Sequence, residues 1–249
     1  MKFATFGRIA VTALLLAAPL GVASAADMPV KAPPAPPPPA YSWTGFYIGV
    51  NGGGAQGNTS WNYYTPGGIP TAGWASHDVS GGMAGGTVGF NWQAPGTHWV
   101  AGIEGDWDWS NIVGNSVCPN ATFDCESKIR DVATARARLG WAEGGVLFYG
   151  TAGAAWGNVR IQTVNEAGVS PPTGTPTNGT TSTRLGWTGG GGIEANIAQT
   201  PLSVKAEVLY YDLGAHNFNV DGGLIVHARE SGTMVRAGLN WRLGNWALK

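Results

Sequence analysis

The sequence predicts an all-β fold, an eight-stranded antiparallel up-and-down β-barrel that crosses a membrane. Three observations predict this fold class. Eight segments alternate apolar and polar residues with a period of two, the connections between them alternate in length, and aromatic residues stand near both ends of the strands. No apolar run beyond residue 40 is long enough for a spanning helix, so the chain would cross a membrane by its strands.

The first four strands are predicted at 44–56, 79–92, 97–110 and 128–141, where a period of two is present and a 3.6-residue stripe is not. The third strand is the clearest, because large apolar side chains alternate with carboxylates along its length. The apolar faces are Phe46, Ile48 and Val50 in the first strand, Val88, Phe90 and Trp92 in the second, Trp99, Ile103, Trp107 and Trp109 in the third, and Ala133, Ala135, Ala137, Leu139 and Trp141 in the fourth.

The last four strands are predicted at 146–159, 183–197, 202–212 and 232–243 by the same alternation. The sixth to eighth strands each set an apolar face against a face with charged or polar side chains. The apolar faces are Leu185, Trp187, Ile193, Ala195 and Ile197 in the sixth, Val204, Ala206, Val208 and Tyr210 in the seventh, and Val235, Ala237, Leu239 and Trp241 in the eighth.

The connections decide between a soluble sandwich and a membrane barrel. Tight turns are predicted at 93–96, 142–145 and 198–201, and long polar loops at 57–78, 111–127, 160–182 and 213–231. Short turns at one end and long loops at the other are typical of outer-membrane barrels. The even number of strands places both termini at the short-turn, periplasmic end.

Aromatic residues predict two lipid-facing girdles around a band of smaller apolar residues. A sandwich core, the alternative, would concentrate such residues in the middle of the strands. The girdle at the short-turn end comprises Phe46, Trp92, Trp99, Trp141, Phe148 and Trp241, and the girdle at the long-loop end comprises Trp107, Trp109, Trp156, Trp187 and Tyr210.

The opposite face of the strands carries charges whose signs are ordered along the barrel. Carboxylates on the third strand lie beside arginines on the fourth, and further charges of both signs follow on the last three strands. Eight strands leave room only for side chains, and buried charges are costly unless they are paired. We therefore predict a lumen filled by an ionic network, with a proton or ion path as the alternative. Its members are Glu104, Asp106, Asp108, Arg136, Arg138, Glu194, Lys205, Glu207, Arg236 and Arg242. Arg138 is expected to pair with Glu104 or Asp106, and the register decides between them.

The first 25 residues predict an export signal. Lys2 and Arg8 precede an apolar run at 9–22, and Ala23, Ser24 and Ala25 supply the small residues that a signal peptidase reads. A membrane anchor, the alternative, would need about 20 apolar residues. Residues 26–42 are predicted to be a proline-rich periplasmic linker, with docking to an aromatic groove as the alternative. The barrel is expected at 43–243, and 244–249 form a C-terminal tail.

The charge balance excludes electrostatic binding of nucleic acid. The full chain has 14 Lys and Arg against 15 Asp and Glu, and removal of Lys2 and Arg8 leaves 12 against 15, a net charge of -3. No Lys/Arg cluster beyond Arg136 and Arg138 is present, so nucleic acid is not an expected partner. The glycine runs 52–54 and 189–192 lie inside strands with no helix after them, which argues against phosphate loops.

Several motifs in the right order resemble the small outer-membrane surface-antigen family of rhizobial-type bacteria. These proteins are also called porin-family or outer-membrane immunogenic proteins, and they are related to the OmpA-like transmembrane barrel. The motifs are TGFYIGVNGGG at 44–54, GIEGD at 102–106, TARARLGW at 134–141, KAEVLYYDLG at 205–214 and VRAGLNWR at 235–242.

The resemblance implies an abundant, surface-exposed structural protein of the outer membrane, with no catalytic residues, cofactor or metal to carry over. Outer-membrane lipid, lipopolysaccharide and the barrel assembly machinery are the expected partners, and a partner for the extracellular loops is not predicted. Many outer-membrane barrels end in an aromatic residue that the assembly machinery reads, whereas here Leu243 stands at that position and residues 244–249 follow.

Two further functions remain open from the sequence. A narrow channel for small solutes or ions would need space beside the inward glycines Gly89 and Gly102. A lipid hydrolase would need a nucleophile and a base, and Ser231 with His227 and Glu230 is the one candidate set. The spacing of His216 and His227 is no metal signature.

The cysteines Cys118 and Cys125 lie close together in one exported loop, so we predict a disulfide between them. A free thiol or a metal ligand is the alternative role.

Overall fold

The computed structural model describes residues 41–165, 174, 176–197, 200–219 and 225–243. Each strand pairs antiparallel with its neighbour in chain order, and β1 also pairs with β8, which closes an eight-stranded barrel. This confirms the predicted fold class. Among the described residues no helix is long and apolar enough to cross a membrane. The strands are β1 (Gly45–Tyr64), β2 (Pro70–Gln93), β3 (Trp99–Val117), β4 (Asp124–Glu143), β5 (Val146–Val164), β6 (Pro176–Asn196), β7 (Leu202–Asn219) and β8 (Ile225–Leu243).

Several predicted segments lie outside the described residues. They are the export signal (1–25), most of the proline-rich linker (26–40), the C-terminal tail (244–249), parts of two long loops (166–173 with 175, and 220–224) and part of one turn (198–199). The boundaries predicted for these segments stay predictions.

The prediction of long polar loops was wrong for most of their length. Segment 57–78 is largely strand, because β1 continues to Tyr64 and β2 begins at Pro70, and segment 111–127 is shortened in the same way by β3 and β4. Here the structure has strands of 18–24 residues where the sequence predicted 11–15. The barrel therefore continues well past the aromatic girdle at its long-loop end, hereafter the loop end; the opposite end is the turn end.

The two halves of the barrel differ in which kind of side chain faces the interior. In the half toward the turn end, apolar side chains face outward and charged ones face the lumen. In the half toward the loop end, β1 turns Trp61 and Tyr63 inward and Asn58, Ser60 and Asn62 outward. This half has the pattern of a soluble barrel, with apolar residues inside and polar residues outside. The sequence analysis looked for apolar residues on the lipid-facing side, so it assigned this half to polar loops.

The interior of the loop-end half is filled by a continuous apolar cluster, hereafter the apolar plug. Among the residues whose side chains the structure describes, it is drawn from every strand except β6, and its largest members are fully buried. They include Trp61, Ile112, Ile129, Leu213 and Met234. A fully buried large apolar side chain contributes about 1.5–3 kcal/mol relative to an exposed one, so this half is held by the same force as a soluble core.

All eleven aromatic residues of the predicted girdles point outward. Their exposed fractions run from 36% at Trp156 to 63% at Trp109. Between them the outer wall carries exposed apolar residues such as Val50, Ile103 and Leu139. A soluble protein would bury such a band, and contact with lipid accounts for its exposure.

Candidate functional site

Nine charged side chains form one buried ionic cluster in the turn-end half, hereafter the lumen network. They project from β3, β4, β6, β7 and β8, and their side chains are at most 2% exposed in every ion pair they form with one another. The members are Glu104, Asp106, Asp108, Arg136, Arg138, Glu194, Lys205, Glu207 and Arg236. Five carboxylates thus face four cations, so the network itself is nearly neutral.

Arg236 and Arg136 hold the half of the network nearer the apolar plug. Arg236 pairs with Asp106 and Asp108 and donates through Nε to Glu207 at 3.0 Å. Arg136 bonds Asp106 at 2.8 Å and also reaches Glu207. Asp106 and Glu207 each pair with both guanidinium groups. Loss of either arginine would therefore leave both carboxylates buried with one cation fewer.

Arg138 organises the half nearer the turn end. Its Nη2 lies 2.9 Å from Glu194, and its Nη1 donates to the Tyr47 hydroxyl at 2.8 Å. Glu104 also accepts from Lys205 at 3.0 Å. Glu194 lies on β6, which is separated from β4 by β5, so the shortest ion pair of Arg138 is with a strand that is not its neighbour.

The structure decides which carboxylate Arg138 binds. Of the two predicted candidates, Glu104 lies within 3.4 Å, whereas Asp106 bonds Arg136 and Arg236 instead. The partner Glu194 was placed in the lumen by the sequence but was not assigned to Arg138. The register pairs Gly102 with Arg138 and Glu104 with Arg136, which moves Asp106 out of reach.

Tyrosines and neutral polar groups complete the network, and the sequence did not single them out. The hydroxyl of Tyr47 donates to Glu104 at 2.7 Å and that of Tyr149 donates to Glu207 at 3.1 Å. Ser203 and Asn240 both donate to the same oxygen of Glu194. Their positions on the inward face were the only available signal, because a tyrosine on that face must satisfy its hydroxyl inside the barrel.

Arg242 differs from the prediction, because no ion pair joins it to a carboxylate within the part of the chain that the structure describes. Its guanidinium instead lies 4.4 Å from the ring centres of both Tyr41 and Trp43, and Nη1 donates to the Ser42 carbonyl at 2.7 Å. The three side chains Tyr41, Trp43 and Arg242 are hereafter the mouth plug.

The mouth plug closes the turn end of the barrel. Trp43 is fully buried, its backbone N–H donates to Gln93 and its indole N–H donates to the Gly144 carbonyl. Tyr41 and Ser42, which belong to the predicted linker, are thereby attached to the barrel. Burial raises the pKa of Tyr41 to about 12, so its ring stays neutral beside the guanidinium.

A second buried ion pair lies in the loop-end half. Arg184 Nη1 is 3.1 Å from Glu230, and the guanidinium lies 4.6 Å from the ring centre of Phe218. The sequence analysis missed this pair, because Arg184 lies in the predicted sixth strand (183–197) but Glu230 lies in the segment 213–231, which was predicted to be a loop. Glu230 was considered only as a member of a hydrolase.

The candidate hydrolase residues do not converge. Glu230 faces inward and pairs with Arg184, whereas Ser231 and His227 alternate with buried residues and face outward. His227 and Ser231 are four residues apart on one strand, about 13 Å, and the His227 ring packs on Tyr64. No group of three or more His, Cys, Asp or Glu in the described ranges could hold a metal ion.

The predicted disulfide is present. Cys118 follows β3 and Cys125 lies in β4, with their Cα atoms 5.1 Å apart, so the bond closes the hairpin tip. Both cysteines belong to the apolar plug, and the Tyr63 hydroxyl lies 3.4 Å from the sulfur of Cys125.

Replacement of both cysteines by serine is expected to lower the free energy of unfolding by about 2–3 kcal/mol, the loop-closure value for so short a ring. Alkylation of the unreduced, denatured wild type should label neither cysteine. Labelling of both would show that the bond does not form in the exported protein.

The closed eight-stranded barrel, its outward apolar band and its aromatic girdles define an integral outer-membrane β-barrel protein. A family model described as "Outer membrane protein beta-barrel domain" matches residues 12–242, and the chain belongs to this family.

Curated relatives agree with this family. The chain is 32% identical to the "31 kDa outer-membrane immunogenic protein" of Brucella melitensis over 88% of its own length and 93% of the relative's. It is 29% identical to the "22 kDa outer membrane protein" of Rhizobium leguminosarum bv. viciae, covering 76% of this chain and 73% of that one. Among solved structures, the outer membrane protein OprG of Pseudomonas aeruginosa is 14% identical, covers 82% of this chain and 99% of its own, and has a TM-score of 0.48. The family model and the two curated relatives show that the protein is an outer-membrane protein.

Proposed function

We propose that this protein is a structural, surface-displayed barrel with a closed lumen, and neither an enzyme nor a channel. The observation that carries the proposal is that side chains fill the described interior in three successive layers. The mouth plug lies at the turn end, the lumen network in the middle and the apolar plug at the loop end. The immunogenic character named for the Brucella relatives supports display at the cell surface.

The inward glycines do not leave a path through the lumen. A Cβ atom at Gly89 would lie 2.3 Å from the Tyr47 hydroxyl, and one at Gly102 would lie 2.4 Å from the Asn91 side-chain oxygen. These glycines therefore provide room for neighbouring side chains that already occupy it. A channel would need this space to hold water.

The pairing of the strands in the barrel wall supports a structural role for the protein. Between β1 and β8 the register runs without interruption from Phe46–Leu243 to Tyr64–Ile225, so these two strands stay paired through both halves of the barrel. We propose outer-membrane lipid, including lipopolysaccharide, as the surroundings of the girdled band and the barrel assembly machinery as the partner in insertion. Nucleic acid is not a proposed partner.

Planar-bilayer recording tests the closed lumen. The refolded protein is expected to show no stable, step-like openings of porin size, because water-filled porins use 16–18 strands and this barrel is packed with side chains. A matched control is the Trp43→Ala variant, which removes the buried indole of the mouth plug but leaves the lumen network, and this variant should remain closed. Stable openings in the wild type that disappear when Gly89 or Gly102 is replaced by a bulky residue would establish the channel instead.

A further inference from the structure

Cations on the outer wall are concentrated on two neighbouring strands. Lys128 on β4 lies between the buried residues Ser127 and Ile129, and Arg160 on β5 lies between Val159 and Ile161, so both side chains face outward. The exposed Arg130 stands beside them, at a bulge in β4. The one further outward-facing Lys or Arg in the described ranges is Arg229 on β8.

Lys128 and Arg160 lie directly opposite each other in the register of β4 and β5. Directly opposite like charges destabilise a sheet, because the Cβ atoms of such a pair are about 4.5–5.5 Å apart. Within the described part of the chain, no ion pair joins either of them, or Arg130, to a carboxylate. By contrast Arg229 pairs with Asp212.

The nearby acidic groups do not neutralise this cluster. Glu126 lies on the same face beyond Lys128, but its carboxylate accepts a hydrogen bond from Gln162 at 3.0 Å. Asp131 lies opposite Asn158, beyond the 4 Å of an ion pair from any of the three cations. Within the described residues the three cations of the cluster therefore have no carboxylate within ion-pair distance, so an external anion would supply their first direct partner.

The height of the cluster matches the headgroup region of a bilayer. Arg160 is four residues beyond Trp156, and Asp131, next to Arg130, lies opposite Trp109. Both tryptophans belong to the loop-end girdle, and aromatic girdles mark the boundary between hydrocarbon and headgroups. The three cations thus stand just outside that boundary.

Small side chains line part of the outer wall between the cationic cluster and the turn end. Ala135 lies opposite Ala154, and Ala137 lies opposite Ala152, all on the lipid-facing side of β4 and β5. A depression on the adjoining wall of β2 and β3, reaching Phe90, meets this strip at Ala135. The strip of small residues begins below Trp156, which stands between the strip and Arg160, and it runs toward the turn end.

We propose that the outer wall of β4 and β5 binds an anionic, acylated lipid of the outer leaflet. Lys128 and Arg160 bind its phosphate groups, with Arg130 at the side, and its acyl chains lie along the alanine strip. A lipid A headgroup has this chemistry, because it places phosphates at the interface above several acyl chains. The inference rests on the outer-membrane location and is independent of whether the lumen is closed.

The test measures binding of fluorescent diphosphoryl lipid A to the refolded barrel in detergent. We expect the double variant Lys128→Ala/Arg160→Ala to bind about 30-fold more weakly, because each cation near an anionic lipid surface contributes about fivefold. Arg229→Ala is the matched control, since Arg229 stands four residues beyond Thr233, the partner of the girdle residue Tyr210. It should bind lipid A as the wild type does. Each single variant should lose about fivefold, which keeps the test informative should the double variant not refold.

Two further probes separate the parts of the site. Lipid A without phosphates should bind the wild type as weakly as the diphosphoryl form binds the double variant, and excess inorganic phosphate should not displace the diphosphoryl form. Ala137→Phe should weaken binding by obstructing the strip. Unchanged affinity in the double variant, equal binding of the lipid without phosphates, or full displacement by inorganic phosphate would each overturn the proposal. None of these results would alter the bilayer recording that tests the closed lumen.

Discussion

Replacement of Arg236 by methionine is expected to lower the free energy of unfolding by about 3–5 kcal/mol. The guanidinium contacts Asp106, Asp108 and Glu207, and none of these side chains is exposed to solvent. Methionine fills much of the same volume, so the main loss is electrostatic. The measurement is urea unfolding of the barrel in lipid vesicles, followed by tryptophan fluorescence.

Arg229→Met is the matched control for this measurement. Arg229 also forms an arginine–carboxylate pair, with Asp212, but its side chain is 64% exposed. Exposed pairs contribute about 0–1 kcal/mol, so this variant should unfold close to the wild type. Equal losses at Arg236 and Arg229 would show that the lumen network does not stabilise the barrel.

A double-mutant cycle then tests the assignment of partners. Arg138→Met combined with Glu194→Gln should show coupling, because the two side chains are in contact at 2.9 Å. Arg138→Met combined with Asp106→Asn should couple more weakly, because Asp106 bonds Arg136 and Arg236 instead. Strictly additive losses in both cycles would contradict the network.

Replacement of Trp61 by alanine is expected to cost about 3–5 kcal/mol, the usual loss for a large aromatic residue deleted from a core. Trp61 is fully buried in the apolar plug, on the part of β1 that extends past the loop-end girdle. The loss should appear in the same urea experiment. It should also appear as faster proteolysis of the loop-end half in vesicles, because that half lies outside the membrane.

Trp74→Ala provides the control on the adjoining strand. Trp74 lies on β2 opposite Asn62, faces outward and is 71% exposed. Its removal should change the free energy of unfolding by no more than about 0.5 kcal/mol. Similar results for Trp61 and Trp74 would mean that the loop-end half is not a packed core.

The turn-end half of the barrel can be predicted from the sequence because its outer face contacts lipid, which requires apolar residues outside and leaves the charged residues for the lumen. Residues such as Ile103 outward and Glu104 inward cannot exchange faces without exposing charge to hydrocarbon. The loop-end half has water on its outside, so Asn58, Ser60 and Asn62 are suitable there. Asn and Ser are also common in loops, so these outward residues do not indicate a strand. Only Trp61, which is buried between Ser60 and Asn62, does so.

The sequence predicted which charged residues lie in the lumen better than it predicted which of them pair with each other. Adjacent strands can be inferred from chain order, so the carboxylates of β3 were placed beside the arginines of β4, and the structure then pairs Glu104 with Arg136. Contacts between strands that are not neighbours depend on the register of every strand between them, which is why the Arg138–Glu194 pair was not anticipated. The role of Arg242 depended on residues 41–43, which showed no strand pattern.

Cysteine labelling of intact cells tests most directly the central claim, that a filled barrel displays its loop-end half at the cell surface. Gly67→Cys places a thiol at the exposed tip between β1 and β2, and Pro95→Cys places one at the exposed turn between β2 and β3. The probe is a maleimide on a polyethylene glycol chain too large for porins, and the disulfide protects the native cysteines. Gly67→Cys should be labelled in intact cells and Pro95→Cys only after the cells are broken. Labelling of Pro95→Cys but not Gly67→Cys in intact cells would contradict this account.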